Sequence, residues 1–65
     1  MKDRFFVFED ECGEYDTIIV EARSEQEAIG IVENNFECAE YMEIIAIYDS
    51  EEELDDDGFG AYDIF

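Results

Sequence analysis

Sixty-five residues give room for one domain with one modest core and exclude a second unit. With 48% apolar and 15% aromatic residues, the chain is too rich in core-forming side chains for charge-driven disorder, so it is expected to fold. Its 21 acidic residues against 3 basic ones leave a formal charge of -18, which excludes direct binding to nucleic acid or to an anionic membrane, since nothing is present to neutralise phosphates and release their counterions.

Met1-Lys2-Asp3-Arg4 leads straight into an aromatic segment without an apolar signal core, and no stretch approaches the roughly 18 apolar residues of a membrane span. The expected location is the cytoplasm. Arg4-Phe5-Phe6-Val7-Phe8-Glu9 is dense in aromatic and β-branched residues and stops at an acidic cluster ending in Gly13, the spelling of a strand and a turn. Tyr15-Asp16-Thr17-Ile18-Ile19-Val20-Glu21-Ala22 resumes the strand composition, so the two segments predict an antiparallel hairpin with Asp10 to Glu14 at its tip.

Ser24-Glu25-Gln26-Glu27 is a capping box, in which the serine hydroxyl accepts from the backbone of the third residue on and the glutamate reaches back. A helix of about three turns follows, its apolar stripe made of Ala28, Ile29, Val32 and Phe36 with Ile31 beside them, and its outer face of Glu25, Glu33 and Glu37. Tyr41-Met42-Glu43-Ile44-Ile45-Ala46-Ile47-Tyr48 predicts a third strand, apolar enough for the centre of a sheet and expected beside the first. Ser50-Glu51-Glu52-Glu53 repeats the capping box, Leu54 pins a single helical turn, and Asp55-Asp56-Asp57-Gly58 breaks it. The tail, residues 59–65, alternates weakly and reads as an edge strand.

The resulting class is α+β: one acidic domain over residues 1–65, a small, mainly antiparallel sheet with one helix packed on one face, in the order ββαβ with room for a short helix and a terminal strand. The expected core is Phe6, Phe8, Ile18, Val20, Ile29, Val32, Phe36, Ile44 and Ala46. A one-residue slip exchanges the faces of a strand, so the pattern leaves open whether Phe5 or Phe6 points inward.

Solubility is served by a net charge of roughly 2 to 8 in a small domain, so the acidic excess calls for another use. Carboxylates two apart on a strand lie about 6.6 Å apart on one face, and those three or four apart on a helix have Cβ atoms about 5–6 Å apart. Duplex DNA carries a phosphate every 3.4 Å or so along each strand. Rows of carboxylates at such separations suit a cationic surface built to grip DNA. The candidate partner-binding residues are Glu9, Asp10, Glu11, Glu14 and Asp16 at the hairpin and Glu51, Glu52, Glu53, Asp55, Asp56 and Asp57 after the third strand, read as two lobes of one polyanionic face. The bland alternative is a solvated surface adapted to high salt, which explains neither the clustering nor the many large aromatics.

Other chemistry is poorly supplied. Glu53-x-Asp55-x-Asp57-Gly58 imitates the first half of a calcium-binding EF-hand loop, but the twelfth position falls on Ile64 where a bidentate glutamate is needed, so no metal site is assigned. The absence of histidine removes the usual general base, no pair among the carboxylates is marked out for acid and base roles, and neither catalysis nor a cofactor is expected. Cys12 and Cys38 lack a C-x-x-C partner and read as free thiols, with a disulfide as the alternative. Tyr15, Tyr41, Tyr48, Phe59, Tyr62 and Phe65 exceed what so small a core absorbs, and serve either as interface anchors or as a roof over the second sheet face or a homodimer contact.

The spelling Ile18-Ile19-Val20-Glu21-Ala22-Arg23-Ser24-Glu25-Gln26-Glu27-Ala28-Ile29-Gly30-Ile31-Val32-Glu33, with the Glu43-Ile44-Ile45 strand and an acidic stretch behind it, resembles small DpnD/PcfM-like proteins of phages and mobile elements over roughly residues 5–57. That resemblance implies a mobile-element origin and a ββαβ core, and assigns no functional residue. In size, charge and architecture the chain also resembles DNA-mimicking anti-CRISPR proteins. By that analogy its partner is the basic DNA-binding surface of a host defence protein, a CRISPR effector ahead of a restriction enzyme. The expected function is a competitive, DNA-mimicking inhibitor, monomer or homodimer; the alternative is an acidic structural or regulatory accessory domain acting by self-association or protein–protein contact.

Overall fold

Strand β1 (Arg4–Asp10) and strand β2 (Thr17–Ala22) form an antiparallel hairpin in which Val7 faces Ile19 and Phe6 faces Val20. Strand β3 (Met42–Tyr48) runs antiparallel along the other side of β1, giving the order β2-β1-β3. This computed structural model describes residues 3–11, 17–37, 39–62 and 64–65; the hairpin tip at Gly13, Tyr15 and the two cysteines, Cys12 and Cys38, lie outside the described residues.

The third strand pairs beside the first, as expected, but it lies at an edge and β1 takes the centre. Burial explains the exchange. Residues 5–8 are buried without interruption, the signature of a strand covered on both faces, whereas β3 alternates half-buried and exposed along its length.

Helix α1 (Glu25–Asn35) packs on β2 and buries Ala28 and Val32. Its capping box forms with a shift. The Ser24 hydroxyl accepts the Glu27 N–H at 3.1 Å, while the Glu27 carboxylate accepts the N–H of Arg23, one residue before the cap, at 3.4 Å. Such a cap typically contributes about 1 kcal/mol. Ala28, not Ile29, meets the sheet: the small side chain lets the helix come close, and Ile29, turned about 100° further round the axis, is left 39% exposed. Ile29 therefore leaves the expected core and Ala28 replaces it.

A second helix, α2 (Glu51–Asp56), covers the opposite face of the sheet. Ser50 caps it by accepting the Glu53 N–H at 3.3 Å, and the Glu53 carboxylate accepts the Asp49 N–H at 3.1 Å, the same shifted box as in α1. At its end Gly58 donates to the Asp55 carbonyl at 2.9 Å and Phe59 to the Leu54 carbonyl at 3.1 Å. This Schellman pair needs a left-handed residue, and Gly58 supplies it with φ of 89°. Leu54, 2% exposed, anchors α2 among Phe5, Val7 and Ile19, with Ala46, Tyr48 and Phe59 packed around it. Burying such a leucine contributes about 1.5–3 kcal/mol.

A bulge in β3 divides the two cores. Val7 opposes Ala46 and Phe8 opposes Ile44, leaving Ile45 as the extra residue. Side chains change face across it: Met42 and Ile44 pack with Phe6, Phe8, Ile18 and Val20 under α1, whereas Ala46 and Tyr48 pack under α2. Ala46 thus belongs to the opposite core from the one expected. Phe5 and Phe6 are both buried, one on each face.

The tail contributes less than a strand. Ile64 bridges Ile19 in parallel, the Phe65 N–H bonds the Ile19 carbonyl at 2.8 Å, and the Glu21 N–H bonds the Phe65 carbonyl at 2.9 Å. The Phe65 ring meets Phe36 edge-on, with centroids 5.2 Å apart. These contacts occupy part of the outer edge of β2.

Candidate functional site

Acidic side chains gather at both ends of β3. At its beginning, Glu9 of β1 sits in register with Glu43 of β3, and both are exposed. Directly opposed residues hold their Cβ atoms about 4.5–5.5 Å apart, and like charges so placed are destabilising. Alternation from Phe5 and Val7 puts this pair on the α2 side of the sheet. Glu11, whose N–H bonds the Tyr41 carbonyl at 3.2 Å, joins Glu40, Tyr41, Met42 and Glu43 around an open depression of about 260 Å³.

At the other end, Tyr48, Glu53, Asp56 and Asp57 line a second open depression of about 410 Å³. The Tyr48 hydroxyl donates to Asp57 Oδ2 at 2.7 Å. That hydrogen bond, followed by desolvation and the Asp57 charge, raises the tyrosine pKa above its ordinary value. Each depression therefore combines three carboxylates with one tyrosine, and they lie at the two ends of β3, a strand about 20 Å long, with Ile44, Ile45, Ala46 and Ile47 between them.

The acids of α2 divide by what else they do. Glu53 serves the N-terminal cap and Asp57 holds Tyr48, while the Asp55 carboxylate lies against Gly60, in the space that a Cβ there would enter. Glu51, Glu52 and Asp56 are exposed and make no hydrogen bond or ion pair among the described residues, so they are the acids free for a partner. Two hairpin candidates, Glu14 and Asp16, lie outside the described residues. Asp10 is corrected: β1 extends through it in register with Met42, and at 7% exposure it contributes little to an outward-facing surface.

Intramolecular cations leave this surface unneutralised among the described residues. Arg4 Nε pairs with Asp49 Oδ1 at 3.4 Å and Arg23 Nε with Asp3 Oδ1 at 3.8 Å, exposed contacts worth at most about 1 kcal/mol each. A net charge of -18 on a molecule 29 Å in its longest dimension amounts to one charge per roughly 1.6 Å, against about 1.7 Å of axis per charge in duplex DNA.

Glu40 and Glu43 were not among the residues expected from sequence, and neither were Ile45 and Ile47, which are 48% and 45% exposed on β3. Alternation within β3 hints at Glu43, but its pairing with Glu9 emerges only from the register. Of the surplus aromatics, Tyr48 and Phe59 roof the second face, with Phe59 also against Tyr62 at 6.0 Å, while Tyr41 and Phe65 stay exposed. The EF-hand-like spelling is the C-terminal turn of α2, and among the described residues no three potential ligands converge on a metal position. No described helix is long and apolar enough to cross a membrane. Comparison with protein families, curated proteins and solved structures finds no match.

Proposed function

We propose that this chain is an inhibitor from a phage or mobile element that imitates DNA and competitively blocks the DNA-binding surface of a host defence protein in the host cytoplasm, a CRISPR effector ahead of a restriction enzyme. The observation that carries this reading is the Glu9–Glu43 pair. A fixed register opposes two like charges where a lysine at either position would turn repulsion into attraction. A domain shaped only by its own stability gains nothing from that choice, whereas a partner lined with lysine and arginine does.

The mechanism is electrostatic. Carboxylates at both ends of β3 and along α2 take the place of phosphates, long-range attraction raises the association rate, and exposed Tyr41 and neighbouring apolar groups add the specificity that charge lacks. Self-association through the exposed Ile45 and Ile47 is the competing use of this surface, and repulsion between two chains of -18 each opposes it. Titrating the partner retained from host extract at rising salt tests the proposal: affinity should fall steeply between roughly 0.1 and 0.5 M, where the Debye length drops well below 10 Å. Affinity independent of salt would remove charge imitation as the mechanism.

A further inference from the structure

We infer that the outer edge of β3 receives an extended basic segment of the partner as an added strand, with lysine or arginine at its two ends entering the two acidic depressions. This inference rests on the proposed reading in one respect only, that the partner is cationic. Three observations lead to it. Strand β3 bonds to β1 on one side, and among the described residues nothing pairs with its other side, whereas Ile64 and Phe65 occupy part of the outer edge of β2. Ile45 and Ile47 expose aliphatic surface along that strand, flanked by exposed Tyr41. An acidic depression lies at each end of this strand, which is about 20 Å long.

An unpaired edge carries a row of main-chain donors and acceptors, which give an added strand its affinity, while side chains and charges select which strand fits. Charge decides the occupant here. A second copy, itself at -18, would bring its own acids at the ends of β3 up against Glu11, Glu40 and Glu43 and against Glu53, Asp56 and Asp57 across a strand spacing of roughly 4.8 Å, where like charges repel. A basic strand meets the opposite situation: its apolar middle covers Ile45 and Ile47, and its charged ends neutralise Glu11, Glu40 and Glu43 at one side and Glu53, Asp56 and Asp57 at the other. The bulge at Ile45 interrupts the edge, so main-chain bonds form on either side of it and the charged ends hold the register.

The test uses the whole chain and a peptide matching β3 in length, with lysine at each end and alternating valine and threonine between, compared with the same peptide methylated on every backbone nitrogen between the two lysines, which removes the main-chain donors from both of its edges. Both peptides carry the same charge, but the methylated one cannot pair with an edge. The parent peptide is expected to bind and to protect β3 amides from hydrogen exchange, and the methylated one to bind at least about tenfold more weakly. Ile47→Lys, which sets a positive charge on this strand, is expected to weaken the parent peptide similarly while the protein still melts cooperatively. Equal, salt-sensitive binding of both peptides would overturn strand addition and leave charge imitation standing. A free chain that sediments as a dimer with β3 amides already protected would overturn it in favour of a second copy, and salt-insensitive binding of the host partner would remove the cationic-partner premise instead.

Discussion

Replacing Glu43 by glutamine should stabilise the fold and weaken its binding, an opposition that follows from the register. Glu43 faces Glu9 across the β1–β3 pair, and both carboxylates are in solvent. At about 6 Å in a dielectric near 80, two unit charges repel by roughly 0.7 kcal/mol, before salt screening reduces it. Measured cross-strand pairs contribute about 0.2–1 kcal/mol, so roughly 0.5 kcal/mol is a fair expectation. For a domain of this size that corresponds to a rise in melting temperature of about 2–4 °C. The assay is a double-mutant cycle: Glu9→Gln, Glu43→Gln and the pair, melted at low and at high salt. Each single change should stabilise, the second should add little once the first is made, and the coupling should shrink with salt. Independent effects that sum in the double variant, or destabilisation by either single change, would refute the opposed-charge geometry.

Gly30 lies inside α1, and a Cβ built there meets nothing, so Gly30→Ala should stabilise by about 0.5–1 kcal/mol in urea denaturation; no gain would mean that the helix is not closed at that position. Leu54→Ala changes no charge but frees α2 from the second core, and should lose about 2–5 kcal/mol of stability, with weaker partner binding even where the protein is still folded. Unaltered binding would show that rigid display of the α2 acids is unimportant. Because the folded pKa of Tyr48 lies above its ordinary value of about 10, the stability from its bond to Asp57 is complete below that pH and lost as pH rises through the folded pKa. Wild type should therefore be more stable than Tyr48→Phe near neutrality and lose that advantage above about pH 10 in paired melting curves.

Features fixed by neighbours in sequence are legible in the sequence itself. Both capping boxes, at Ser24 and Ser50, form from residues three apart, and the hairpin follows from two apolar runs around an acidic turn. Features fixed by partners across the sheet are not. Ile44-Ile45-Ala46-Ile47 spells the same apolar run whether the strand is central or at an edge, and only pairing with β1 makes Ile45 a bulge and sends Ala46 to the other face. Ala28 displaced Ile29 because close approach to β2 rewards a small side chain, a tertiary choice that helical periodicity does not contain. The candidate site divided along the same line. The α2 acids were visible as a run, the Glu9–Glu43 opposition needed the register, and Asp10 was lost to the interior because β1 runs on through a position assigned to the turn.

The most direct measurement is displacement of a labelled DNA duplex from the host protein that wild-type chain captures and a Glu51→Lys, Glu52→Lys, Asp56→Lys variant does not. Those three acids make no hydrogen bond or ion pair among the described residues, and although Glu51 and Glu52 favour the first turn of α2 by about 0.3–1 kcal/mol each, the variant should keep a cooperative melt. Wild-type chain should release the duplex fully as it saturates its site, with an apparent affinity that declines as salt rises. A stable ternary complex, with the duplex still bound beside a saturating amount of this protein, would contradict occupation of the DNA-binding surface.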